Sequence, residues 1–142
     1  MSKQQNTIDK ITAIYCRLSH EDELKGDSMS IQNQRDLLGR YASDNGFFNV
    51  RFYADDGYTG TNFNRPAFQE MICDIENDKV STVIVKDLSR LGREYLQTGY
   101  YTEIFFAEHN VRFIAVNDGV DSAQGYNDFA PFKNIINEFY RS

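Results

Sequence analysis

Residues 82–85, Thr82-Val83-Ile84-Val85, form a strand-like run with no polar alternation in it. A strand with one wet face alternates apolar and polar side chains, whereas a strand covered on both faces reads as continuously apolar. Such a strand needs neighbours on both sides and helices above and below. Three further strand-like runs, 12–17, 50–54 and 112–116, are separated by helical patterns. The first helix is predicted over 30–45, with Ser30 as N-cap, Ile31, Leu37, Leu38, Tyr41 and Ala42 on its inner face, and Gly46 ending it. The second opens at Pro66, with Asn64 as candidate cap and Phe68, Met71, Ile72 and Ile75 inward. The third is predicted over 94–109, burying Tyr95, Leu96, Tyr100, Ile104, Phe105 and Ala107. Alternating strands and helices predict an α/β fold, a central mostly parallel sheet with helices packed on it and strands one and three adjacent. Residues 128–140 form a last amphipathic stretch, with Phe129, Phe132, Ile135, Ile136 and Phe139 on one side. The chain stops there without a Gly or Pro signal. It is expected to be cut from a longer protein, and that apolar face to need a partner such as a second subunit.

The 142 residues suit one domain, and 41% hydrophobic content is enough to give it a core. No apolar run is long enough to span a membrane, and the polar start Met1-Ser2-Lys3-Gln4 lacks a signal peptide's apolar region. A cytoplasmic protein is expected. Cys16 and Cys73 form no metal-ligand pair and no disulfide framework, and both are read as buried small hydrophobes. The net charge of −6 opposes a domain that grips DNA by bulk electrostatics, although a local cationic site remains open to it.

Such a site is suggested where strand one ends. Arg17 and Ser19 are two apart, so on a strand they project to the same side at the sheet rim where α/β proteins hold ligands. Strand three ends at Lys86, followed by Asp87, Leu88, Ser89, Arg90, Leu91, Gly92 and Arg93. The i, i+3 spacing puts Arg90 and Arg93 on one side of a helical turn. Three guanidinium groups around one serine hydroxyl suit phosphoryl transfer, with cations fixed where the transition state spreads negative charge. No metal and no cofactor is required. His20-Glu21-Asp22-Glu23 is read as a solvated loop, Asp55-Asp56 as Asp-Gly turn chemistry, and His109 as a helix-end residue. The alternatives are a non-catalytic oligomerisation module of the same fold, and a receiver domain phosphorylated on Asp55 or Asp56.

The strings Tyr15-Cys16-Arg17-Leu18-Ser19, Ser30-Ile31-Gln32-Asn33-Gln34, Phe63-Asn64-Arg65-Pro66-Ala67-Phe68 and Leu88-Ser89-Arg90-Leu91-Gly92-Arg93 stand in this order along residues 11–140. Together they resemble the catalytic domain of the serine recombinases, the resolvase/invertase family, in the version carried by large transposon-encoded members. The resemblance implies a resolvase-like catalytic domain over 1–142, ending near the start of a long helix, with the DNA-binding region outside this chain. It implies Ser19 as a nucleophile that forms a 5′-phosphoseryl bond to DNA. Arg17, Arg90, Arg93 and Arg65 would hold the scissile phosphate, and Gln32 would match a family glutamine near the site. It also implies double-stranded DNA at specific sites as substrate, strand exchange and religation that integrate or excise a mobile element, and a dimer that becomes a tetramer when active. Many members carry an acid just before the first arginine of the last motif. Here that residue is Ser89, so the acid's role is either dispensable or supplied by another carboxylate such as Asp87. Alone, this acidic chain is expected to bind DNA poorly.

Overall fold

Strand β1 (Ile11–Leu18) lies between β2 (Val50–Asp56) and β3 (Val80–Val85), which puts its apolar residues at the centre of the sheet. The computed structural model describes residues 10–18, 29–57, 65–92 and 95–124. The sheet order is β2-β1-β3-β4-β5, with β4 at Arg112–Ala115 and β5 at Val120–Asp121. The first four strands are parallel and β5 runs antiparallel to β4. The adjacency of strands one and three matches the sequence reading. In this order the chain leaves β1 toward β2 and later returns past it to β3. The β1–β3 boundary is therefore the topological switch point, where the carboxyl ends of α/β strands open a crevice.

Helix α1 (Ile31–Asp44) covers one face, packing Leu38 and Ala42 against Ile14, Cys16, Ile84 and Ile114. The Ser30 hydroxyl accepts the Asn33 N–H at 3.0 Å, the expected cap, and Gly46 takes φ +79° just after the helix. Helix α2 (Pro66–Glu76) covers the other face through Phe68, Met71, Ile72 and Ile75, as predicted. Asn64 lies outside the described residues. The helix-to-strand turns each set one Asn or Asp in the left-handed region, Asn49, Asp78 and Asn110, the side chains that tolerate it best.

Three expectations need correction. Leu37 is exposed, and Gln34 holds the inner face of α1 in its place. Cys73 is exposed on α2, whereas Cys16 is buried and desolvation pushes its thiol up to about 12. The third helical run is also phased differently. After a four-residue helix, α3 (Leu88–Leu91), come α4 (Tyr95–Gly99), a π-helical turn (Tyr100–Phe105) and α5 (Phe106–Glu108), end to end. The wider π turn rotates the face that follows it. The run buries Thr98, Thr102, Phe105 and Phe106 and leaves Leu96, Tyr100 and Ile104 outside. Phe106 stacks on Phe113, and Tyr101 meets Phe68 edge-on at 5.2 Å, fixing the run over α2 and β4. The amphipathic stretch 128–140 lies outside the described residues.

Candidate active site

Arg17, Arg65 and Arg90 are all fully buried at the carboxyl ends of β1 and β3. Arg17 follows Ala13 and Tyr15 along one face of β1, so its side chain emerges on the α2 side of the sheet. Its Nη2 donates to Ser89 O at 2.7 Å and its Nε to Arg90 O at 3.3 Å. Arg65 precedes α2 and reaches the same turn. Its Nη1 donates to Arg90 O at 3.2 Å and to the Tyr15 hydroxyl at 3.0 Å, and its Nη2 donates to Leu91 O. Arg17 from the end of β1 and Arg65 from the start of α2 thus grip the backbone carbonyls of the short helix that carries the third.

Burying cations is costly unless acceptors surround them. Desolvation pulls the Arg65 guanidinium below its ordinary pKa, partly opposed by Tyr15 and Asp55. The Arg65 guanidinium also lies over the Phe68 ring at 4.8 Å. Asp55 supplies the nearby negative charge. Its carboxylate accepts the Tyr15 O–H at 2.7 Å and the Ala67 and Phe68 N–H groups at 3.0 Å each. Arg65 stands at the N-cap of α2 without a side-chain cap bond, so Asp55 caps this helix from the neighbouring strand. Burial raises the Tyr15 phenol far above its usual range, which keeps it a neutral bridge between Asp55 and Arg65. With its carboxylate so engaged, Asp55 is a poor fit to a receiver's phospho-acceptor. The turn reading of this segment holds at Gly57, whose φ is +91° and whose N–H donates to Leu18 O at 2.6 Å.

The glutamine beside Arg17 is Gln34, not Gln32. Gln32 is exposed on α1 and donates to Asp36 at 2.9 Å. Gln34 is buried; its Nε2 donates to Arg17 O at 3.0 Å and its Oε1 accepts the Arg17 N–H at 3.3 Å. The physical reason is the sheet. Pairing of β1 with β3 ends at Ile14↔Ile84, yet the Arg17 backbone still points to that side, as the Ile11 N–H does toward Lys79 O. Buried backbone groups need partners, and Gln34 supplies both. Its signal in the sequence is its place three residues after Ile31 and four before Leu38, a polar residue in an apolar stripe. Ser19 and Arg93 lie outside the described residues, as does the loop His20-Glu21-Asp22-Glu23. Among the described residues no cluster of three or more His, Cys, Asp or Glu side chains could hold a metal ion.

Asp87 caps α3. Its carboxylate accepts the Ser89 hydroxyl, the Lys86 ammonium at 2.9 Å and the Arg90 N–H at 3.3 Å. Burial raises its pKa, but the bonds from Ser89 and Lys86 outweigh that and hold the carboxyl below its ordinary range. Asp87 therefore orients the Arg90 turn as an anion and is not a proton reservoir at neutral pH. Because its folded pKa is depressed, its stabilising effect is complete above the ordinary carboxylate range, near pH 4, and is lost as pH falls from there through the folded value. The stability difference between the unsubstituted chain and Asp87→Asn should accordingly shrink on acidification. Urea unfolding from about pH 7 down to about pH 3 measures it.

The sequence and the fold have counterparts. The family model "Resolvase, N terminal domain" matches residues 12–142. The chain belongs to the resolvase N-terminal domain family. A Bacillus subtilis (strain 168) protein whose name carries the words DNA recombinase is 30% identical over 132 residues, covering 92% of this chain and 25% of that protein. The chain thus spans about a quarter of that relative's length. The N-terminal catalytic domain of TP901-1 integrase superposes with a TM-score of 0.77 at 35% identity, covering 93% of this chain and 97% of that one. A resolvase family site-specific recombinase from Streptococcus pneumoniae gives 0.73 at 26% identity, covering 93% and 88%. The chain thus carries the fold of recombinase catalytic domains. Among its described residues no helix is long and apolar enough to cross a membrane.

Proposed function

We propose that this chain is the part of a site-specific recombinase that breaks and rejoins DNA. The Ser19 hydroxyl releases its proton to solvent as its oxygen attacks the scissile phosphorus and forms a phosphoserine ester with the 5′ end. The bond to the 3′ oxygen breaks, and that oxygen leaves as a hydroxyl after taking a proton. Rejoining reverses the exchange with a new 3′ hydroxyl, so the phosphodiester is conserved and no nucleotide hydrolysis is needed. Arg17, Arg90, Arg93 and Arg65 stabilise the charge on the phosphorane oxygens. The observation that carries this reading is the meeting of Arg17 with the Arg90 turn at the switch point, two residues before Ser19. Matching two duplexes requires a dimer at each specific site and a tetramer for exchange, in the cytoplasm. A DNA-binding region beyond residue 142 supplies most of the affinity, consistent with the acidic charge of this part.

The test is a suicide substrate with a nick near the crossover, offered to the full-length protein. A covalent protein–DNA adduct should form, and digestion should leave the phosphate on the peptide containing Ser19. Ser19→Ala should abolish the adduct while site binding stays within about twofold, since the removed hydroxyl makes no charge contact. Adducts that persist in Ser19→Ala remove Ser19 from the mechanism.

A further inference from the structure

A helix of four residues cannot hold its own shape, because one turn fixes several dihedrals for a single hydrogen bond. Helix α3 amounts to little more than one turn, with Gly92 N–H donating to Leu88 O and Arg90 N–H to Asp87 O, each at 3.1 Å. Its leading N–H groups depend on acceptors from elsewhere. Asp87 takes that of Arg90. The Leu88 N–H goes to Asp118 Oδ2 at 2.7 Å, from the 3₁₀ turn Val116–Asp118 that leaves β4. The neighbouring Asn117 N–H donates to Lys86 O at 2.8 Å. Strands β3 and β4 pair only as far as Val85↔Ala115, so these two bonds continue their contact past the last rung. The β4–β5 connection thereby holds the chain on both sides of Asp87.

We infer that Asp118 is a positioning residue for the phosphate pocket: it fixes the α3 turn, and through that turn the three buried arginines. The coupling is direct, because Arg17 and Arg65 bind the carbonyls of Ser89, Arg90 and Leu91. A shift of α3 moves Arg90 and loosens the other two together. Asp118 itself is exposed, and its effect is transmitted through the Leu88 N–H. This inference rests on the strand-cleavage reading above.

The experiment compares Asp118→Ala, Asp118→Asn and Ser19→Ala in the full-length protein, at a temperature where urea titration shows each to be folded. Adduct formation on the suicide substrate and affinity for the site are measured separately. Asp118→Ala should slow adduct formation about tenfold or more, since small misplacements of catalytic groups are expensive, with affinity unchanged. Asp118→Asn should recover most of the rate, because its amide oxygen can still accept the Leu88 N–H. Cleavage by Asp118→Ala at the parent rate, or Asp118→Asn as slow as Asp118→Ala, overturns the positioning role. If that happens while Ser19→Ala gives no adduct, the strand-cleavage reading survives alone. Adducts in Ser19→Ala overturn both.

Discussion

Arg17→Lys should lower the rate of covalent adduct formation by about a hundredfold to a thousandfold, the range seen when a preorganised donor is removed from a transition state. The substitution keeps the positive charge and removes the fork. In the parent chain the planar guanidinium spans two carbonyls, Ser89 O through Nη2 and Arg90 O through Nε. An ammonium is a single point of charge and cannot bridge both while facing a phosphate. Arg90 O keeps its bond from Arg65, but a carbonyl left without its donor, as Ser89 O would be, costs about 1–3 kcal/mol, so the α3 turn should loosen as well. Affinity for the DNA site should change little, because charge is conserved. Single-turnover adduct formation, with site binding measured in parallel, checks this. A Lys variant that cleaves within a few-fold of the parent would mean that Arg17 acts through charge alone.

Asp55→Ala should destabilise the fold by about 3–5 kcal/mol, the range for breaking a buried charge network on one side. One carboxylate caps α2 through two N–H groups and holds the Tyr15 hydroxyl that in turn contacts Arg65. Its loss removes the negative charge near Arg65 and leaves a buried hydroxyl and two helix N–H groups without their acceptor. Asp55→Asn should cost less, since its side-chain oxygen can still accept one of them. Urea unfolding of the three proteins measures the order, parent above Asn above Ala. Equal stability of the parent and Asp55→Ala would show that water or rearrangement satisfies the site. Because Tyr15 and Arg65 share the network, double substitutions with Asp55→Ala should be less than additive.

The legible parts were those governed by local rules. Four strands, the first two helices and the Ser30 cap follow from periodicity and capping chemistry acting over a few residues. The continuously apolar 82–85 run located the interior of the sheet, and β3 does lie between two other strands. Arg17 and Arg90 could be paired in advance because parallel connectivity brings the ends of strands one and three to one rim. The phase of the third helical run was not legible. A π turn adds a residue to one loop of the helix, and no period in the sequence records where it falls.

Residue chemistry and spacing by themselves determined an α/β chain with a cationic rim beyond its central strands, because apolar pattern and strand alternation are local properties. Only the tertiary structure decided that Gln34 rather than Gln32 attends Arg17, that Asp55 is a helix cap and charge partner rather than a turn residue, and that Asp118 closes the Arg90 turn. Each of these contacts satisfies a buried backbone group whose ladder or helix has run out. Which distant side chain arrives to satisfy it depends on where the strands stop pairing, and that is fixed by packing across the whole sheet.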